Sequence, residues 1–220
     1  MMYRVPGLGP AQRLSDYLKG LAPGLFLREL CQRPGTVGAI CPSSRHLARH
    51  MARQVPLTGD GLVVELGAGT GAVTQALLEN GVPPHRLLVV EYSAPFVRRL
   101  RKRFPHLNVV QGNAADLCRL LPPEARVHAI VSSLPLCSLP ASMTHSILEQ
   151  WKHLLHDNGV AVQFTYNLRR PKWKIQLQAQ QTGSKIVWAN LPPANISTFS
   201  FKTAKLSAPR HEHVSAEPNH

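Results

Sequence analysis

Apolar residues change their spacing near residue 61, and the change divides the chain. Between Gln12 and Leu21, Leu14, Tyr17, Leu18 and Leu21 recur at the i, i+3, i+4, i+7 interval of one helical face. Gln12, Arg13, Ser15, Asp16 and Lys19 take the other side. Pro23-Gly24 ends this helix, and Leu25, Phe26, Leu27 and Leu30 form a second apolar patch. Pro42-Ser43-Ser44 then signals the start of a helix with Leu47, Ala48, Met51 and Val55 on one side.

From Gly61 onward short apolar runs alternate with helical stretches. Strands are predicted over 62–66, 86–91, 108–111, 129–133 and 160–165, with helices over 72–79, 94–104 and 142–156. Strands that are apolar throughout belong to a mainly parallel sheet covered by helices on both faces. Two β-rich stretches, 185–189 and 196–202, flank Leu191-Pro192-Pro193 and predict a closing antiparallel pair. The expected organisation is an N-terminal helical segment over 1–57, an α/β domain over 58–203 and a polar, aperiodic tail over 204–220.

A chain of 220 residues that is 44% apolar can build one sizeable core, which excludes a fibrous or wholly disordered protein. Charge changes the picture more. Lys and Arg outnumber acids 25 to 12, for a net +13, and such a field attracts a polyanion: nucleic acid or an acidic membrane. Asp16 and Lys19 interrupt any signal-peptide core, and no apolar run reaches the roughly 18 residues of a membrane span, so a cytoplasmic protein is expected. Cys31, Cys41, Cys118 and Cys137 form no CxxC pair, and the histidines include no HExxH, so no metal is expected. The run Arg98-Arg99-Leu100-Arg101-Lys102-Arg103 reads as a solvated helix face or an anion-binding patch.

The segment Val63-Val64-Glu65-Leu66-Gly67-Ala68-Gly69-Thr70-Gly71 carries the chemistry. A strand delivers the chain to the carboxyl edge of the sheet, where α/β folds bind ligands, and glycines let a ligand approach the backbone. The spacing is GxGxG, whereas the pyrophosphate fingerprint is GxGxxG. Glu65 precedes the glycines, where it would repel a phosphate and welcome a cation. Glu91 closes the next strand twenty residues after Gly71, the position of a carboxylate that accepts ribose hydroxyls. A cationic ligand with a ribose fits best, and S-adenosylmethionine (SAM) has a sulfonium, an ammonium and a ribose.

These residues resemble the first motif of class I SAM-dependent methyltransferases, with Glu91 and the adjoining Tyr92 at the ribose-binding position. Gly112-Asn113-Ala114 resembles that class's adenine-contacting turn, and Ser132-Ser133-Leu134-Pro135-Leu136 its fourth motif, beside the transferred methyl. The resemblance implies a Rossmann-like, mainly parallel seven-stranded sheet with an antiparallel last strand. It implies SAM as cofactor, held by Glu65, Gly67, Ala68, Gly69, Gly71, Glu91, Tyr92, Asn113, Ala114 and Ser132. Residues 38–44, the Ser-Leu-Pro-Leu loop and 188–194 narrow the likeness to bacterial phospholipid N-methyltransferases, which methylate phosphatidylethanolamine at the membrane surface.

That narrower likeness implies a phospholipid acceptor and an anionic membrane as partners, with Ser133, Leu134, Pro135 and Leu136 on the acceptor side. Ribosomal RNA adenine N6-dimethyltransferases are similar too, but their fourth motif places an amide and an aromatic ring where this chain has Ser133 and Leu136. Leu136 offers no π face for a flipped base. Two other readings stay open: an RNA adenine methyltransferase, and a noncatalytic RNA- or membrane-binding module with a SAM-like fold. Methyl transfer asks the protein to hold an unprotonated amine about 3 Å from the methyl carbon. No general base is identifiable, and the sequence leaves oligomeric state open. Residues 1–30, with Arg4, Arg13, Lys19 and Arg28 along an apolar helical face, are expected to dock on anionic bilayers.

Overall fold

The computed structural model describes residues 44–166, 173–190 and 193–201. The predicted helix at 12–21, the apolar patch at 25–30 and the polar tail lie outside the described residues. Helix α1 (Arg45–Ala52) begins where the serines signal it: Ser44 Oγ accepts the Leu47 N–H at 3.2 Å. It buries Leu47, Ala48, Met51 and Ala52 and turns Arg45, His46, Arg49 and Arg53 outward.

Strands and helices then alternate as β1 (Leu62–Leu66), α2 (Ala72–Glu79), β2 (Leu87–Glu91), α3 (Ala94–Arg103), β3 (Asn108–Gln111), the short α4 (Leu117–Leu120), β4 (Val127–Ser132), α5 (Ala141–Leu154) and β5 (Leu155–Thr165). After β5 come α6 (Trp173–Leu177), β6 (Gln180–Val187) and β7 (Ala194–Phe201). The seven strands form one sheet in the order β3-β2-β1-β4-β5-β7-β6. The first five pair in parallel, and β7 runs antiparallel between β5 and β6.

Alternate residues of the parallel strands enter two apolar layers, so β1, β2 and β4 are apolar along most of their length, while β3 at the sheet edge has exposed polar ends. Val64, Leu66, Leu88, Val90 and Ile130 pack under α5 with Trp151 and Leu148. Val63, Leu87, Val89, Ala129 and Val131 pack on the opposite face under α1, α2 and α3. The chain leaves β1 toward β2 and β4 toward β5 in opposite directions across the sheet, so the switch point lies between β1 and β4. Outside the carboxyl ends of those two strands such a sheet has its crevice.

Several boundaries differ from the sequence reading. Helix α5 ends at Leu154, and β5 starts at Leu155 and not at 160, because Leu155 pairs with Val127 across an irregular register. Strand β6 spans Gln180–Val187, while Trp188 and Ala189 form a turn. Its polar N-terminal half gives no apolar alternation because it is an exposed edge strand. The five-residue α6 was not predicted; Trp173 stacks edge-on against Phe199 at 5.6 Å and holds it on the sheet.

Candidate active site

Four loops meet outside the carboxyl ends of β1, β2, β3 and β4, and backbone hydrogen bonds lash them together. Gly67 N–H donates to Val90 C=O, Gly112 N–H to Glu91 C=O and Ser133 N–H to Leu66 C=O. The structure therefore brings together the glycine loop, the Glu91 turn, the Gly112-Asn113-Ala114 turn and the Ser132–Leu136 loop.

The three glycines do different jobs, although all have positive φ. A Cβ on Gly67 would meet Leu134 Cδ2 at 2.8 Å, so this glycine lets the loop after β4 press against the loop after β1. A Cβ on Gly71 would meet the Phe104 ring at 2.7 Å, so this one seats α2 against α3. A Cβ on Gly69 would meet nothing within 4 Å. Packing explains the first and third glycines; the middle one faces open space. Ala68 is buried between them.

Glu65 is 0% exposed, and neither carboxylate oxygen has a hydrogen-bond partner of good geometry among the described residues. Burial pushes its pKa up to about 8, the nearby Thr74 hydroxyl and amide pull the other way, and repulsion from Glu91 adds to the rise. Glu91, 4% exposed, accepts the Gly69 N–H at 2.9 Å and the Ser93 N–H at 2.8 Å, one on each oxygen. Burial raises its pKa, while the Ser93, Gly69 and Tyr92 amides oppose the rise. Two buried acids with no basic side chain among their hydrogen-bond partners make a site that a cation would relieve. An open glycine and a carboxylate at the second strand end suit a ribose-bearing cation such as SAM.

Tyr92 is half-buried, and its carbonyl accepts from the Gln111 amide at 3.5 Å. Asn113 Oδ1 accepts the Ala115 N–H at 3.0 Å and so shapes its own turn, with Ala114 buried behind it. In the basic run, Arg101 donates to the Val109 carbonyl and Arg103 to the Thr70 carbonyl at 2.9 Å. Two of those five cations thus brace backbone at β3 and at the glycine loop. Among the described residues no group of three His, Cys, Asp or Glu is placed to hold a metal.

The loop after β4 is clamped from several sides. Buried Ser132 Oγ accepts the Leu134 N–H at 3.3 Å, Gln163 Nε2 donates to the Leu134 carbonyl at 2.9 Å, and Thr144 Oγ1 donates to the Leu136 carbonyl at 3.1 Å. Ser133 Oγ and Gln163 Oε1 are buried with no hydrogen-bond partner among the described residues. Pro135 is half-buried; Leu134 and Leu136 join the apolar layer under α5, with Leu136 only 4% exposed. In this structure, then, Leu136 is core, and Ser133 supplies the loop's unsatisfied polar atom. Sequence reasoning missed Gln163 and Thr144. The signal for Gln163 was present: one amide inside the apolar run Val160–Thr165, at its carboxyl end.

Comparison with known proteins agrees with this geometry. A methyltransferase domain family model matches residues 63–159, from β1 into β5. The chain is 31% identical over 179 residues to an ornithine lipid N-methyltransferase of Singulisphaera acidiphila, covering 77% of this chain and 91% of that one. It is 39% identical over 92 residues to ribosomal RNA small subunit methyltransferase A of Synechococcus, covering 40% of this chain and 28% of that one. Its fold is similar to that of the N-methyltransferase NodS of Bradyrhizobium japonicum, solved with S-adenosyl-L-homocysteine, with a TM-score of 0.58 at 13% identity over 87% of this chain and 98% of that one. The chain belongs to the Rossmann-like SAM-dependent methyltransferases, and S-adenosylmethionine is its cofactor.

Proposed function

We propose that this protein methylates the primary amine of a membrane-lipid headgroup, with phosphatidylethanolamine as the acceptor, at an anionic membrane surface. One observation carries the reading: the likeness to a lipid N-methyltransferase extends over 91% of that relative. A match covering 77% of this chain must include the Ser132–Leu136 loop, so it reaches the acceptor side as well as the cofactor side. The ribosomal RNA relatives match over far less, 40% of this chain in the example above.

When bound, SAM supplies a methyl group already activated on a sulfonium. Glu91 would hold the ribose hydroxyls, Gly67, Ala68 and Gly69 the methionine portion, and the Asn113-Ala114 turn the adenine. Glu65 would set the negative potential that favours a cation. On the acceptor side, Ser133 Oγ is the group that would orient an amine N–H, on a loop whose backbone is already fixed by Ser132, Thr144 and Gln163. A small hydroxyl on a loop without an aromatic ring suits a flexible alkyl amine better than a planar base, which needs a stacking surface.

Among the described residues no helix is long and apolar enough to cross a membrane. The test is expression in a bacterium that lacks methylated lipids, followed by mass spectrometry of the lipid extract. Methylated phosphatidylethanolamines are expected. N-methylated aminoacyl lipid alone would move the acceptor to a different headgroup, and an unchanged lipid profile would count against any lipid.

A further inference from the structure

The turn between β6 and β7 stands on the same edge of the sheet as the active-site loops. Thr165, at the carboxyl end of β5, pairs with Asn195, and Val187 pairs with Ala194, so Trp188, Ala189 and Asn190, which follow β6, lie at that edge. Trp188 in this turn is 72% exposed, while the chain's other two tryptophans, Trp151 and Trp173, are buried. Ile186, two residues before it, is exposed as well. An indole in water is unusual for a residue whose area is mostly buried in folded proteins.

The N-terminus of α1 is fastened beside this turn: the Ser44 N–H donates to Asn190 Oδ1 at 3.2 Å. On its outer side α1 carries Arg45, His46 and Arg49, followed by Arg53 at its C-cap, and among the described residues the acid paired with them is Glu79, 3.8 Å from Arg49. Lys185 of β6 faces the same helix. Burial lowers the pKa of His50, and the Lys185, Arg53 and His46 charges lower it further, so the field between α1 and β6 is positive.

We infer that Trp188 and the basic face of α1 with Lys185 form an interfacial docking surface for an anionic lipid bilayer, holding the active-site edge against the headgroups. This rests on the reading of the acceptor as a membrane lipid. The chemistry is complementary on both counts. Indoles settle at the headgroup level, with an apolar ring and a polar N–H. Each basic side chain near an anionic surface adds about a fivefold gain in binding, and that gain fades with salt.

The buried state of Trp151 and Trp173 makes the test specific. Full-length protein is mixed with phosphatidylcholine vesicles containing phosphatidylglycerol and a lipid bearing a shallow doxyl quencher. Trp emission should shift to the blue and be quenched, and the response should vanish in Trp188→Phe. The double variant Arg45→Glu, Lys185→Glu should sediment with vesicles at least about tenfold more weakly. It should still methylate phosphatidylethanolamine dispersed in detergent micelles. Wild-type protein that sediments with its emission unquenched would overturn the inference, because another surface would then be docking. So would an emission shift with single-stranded RNA and none with vesicles. Quenching by vesicles in a protein that methylates no micellar lipid would instead remove the acceptor reading and leave the docking surface standing.

Discussion

The Glu91 carboxylate accepts the Gly69 N–H at 2.9 Å across 22 residues of chain. One oxygen of the expected ribose ligand thus also fixes the middle of the glycine loop, while the other holds the turn into α3 through Ser93 N–H. In the proposed reading, cofactor recognition and loop geometry share one side chain.

Glu91→Ala should therefore weaken SAM binding by about 1.5 to 3 kcal/mol, the loss expected for hydrogen bonds to a charged acceptor. Glu91→Gln, which keeps an acceptor for Gly69, should lose less. Titration calorimetry with SAM and with its demethylated product checks both. Equal affinity in the alanine variant would remove Glu91 from the cofactor site.

The glycines separate packing from ligand space. Gly71→Ala forces a Cβ against Phe104 at a positive φ, so about 1 to 2 kcal/mol of backbone strain adds to an overpacking cost of about 1 to 3 kcal/mol. Gly69→Ala carries only the backbone strain, because its Cβ meets nothing within 4 Å. Thermal melts should then rank Gly71→Ala as the less stable protein. Calorimetry should show Gly69→Ala losing SAM affinity more than its stability loss explains. Normal SAM binding by Gly69→Ala would mean that the open space is not the cofactor's.

Glu65 ties stability to pH. Its ordinary pKa is 4.5 and its folded one about 8, so the native state holds the proton more tightly than the unfolded chain. That contribution is complete below about 4.5 and is lost as pH rises toward about 8. Glu65→Gln lacks the ionisation. Without ligand, the melting temperature of the natural protein should fall relative to this variant as pH rises from about 5 to about 8. A cation beside Glu65 favours its ionised form, so SAM binding at neutral pH should release protons, seen as a dependence of the binding heat on buffer. A pH-independent difference between the two proteins would contradict the protonated Glu65.

Gln163→Leu removes the hydrogen bond to the Leu134 carbonyl and leaves the apolar layer around it filled. Loss of loop position should lower kcat by about tenfold or more, since small misplacements of reacting groups are costly. SAM affinity should fall less than kcat does, because Gln163 bonds the loop after β4 and not the glycine loop itself. A change confined to SAM affinity would show that Gln163 serves the cofactor side.

Strands β1, β2 and β4 were legible because both their faces are buried, leaving short apolar runs that close at Leu66, Glu91 and Ser132. The glycine loop and the Glu91 turn were legible as structure for a related reason, since positive-φ glycines and a strand-end acid have few substitutes. Strand β6 was only half legible: exposure on both faces leaves Gln180–Ser184 free of any apolar pattern. On the acceptor side the bonds are tertiary. Thr144 and Gln163 reach Leu136 and Leu134 from eight and 29 residues away, and no local spacing encodes that. Leu136 shows the limit most clearly, because a leucine in a motif reads alike whether it meets a substrate or, as here, packs beneath α5.

Methyl-labelled SAM offered with phosphatidylethanolamine vesicles and with unmodified ribosomal RNA in parallel tests the acceptor most directly. Label should appear on the headgroup amine of the lipid, with little or none in the RNA. Label on RNA adenine with none in the lipid would contradict the lipid-amine reading and assign the protein to the RNA-modifying methyltransferases.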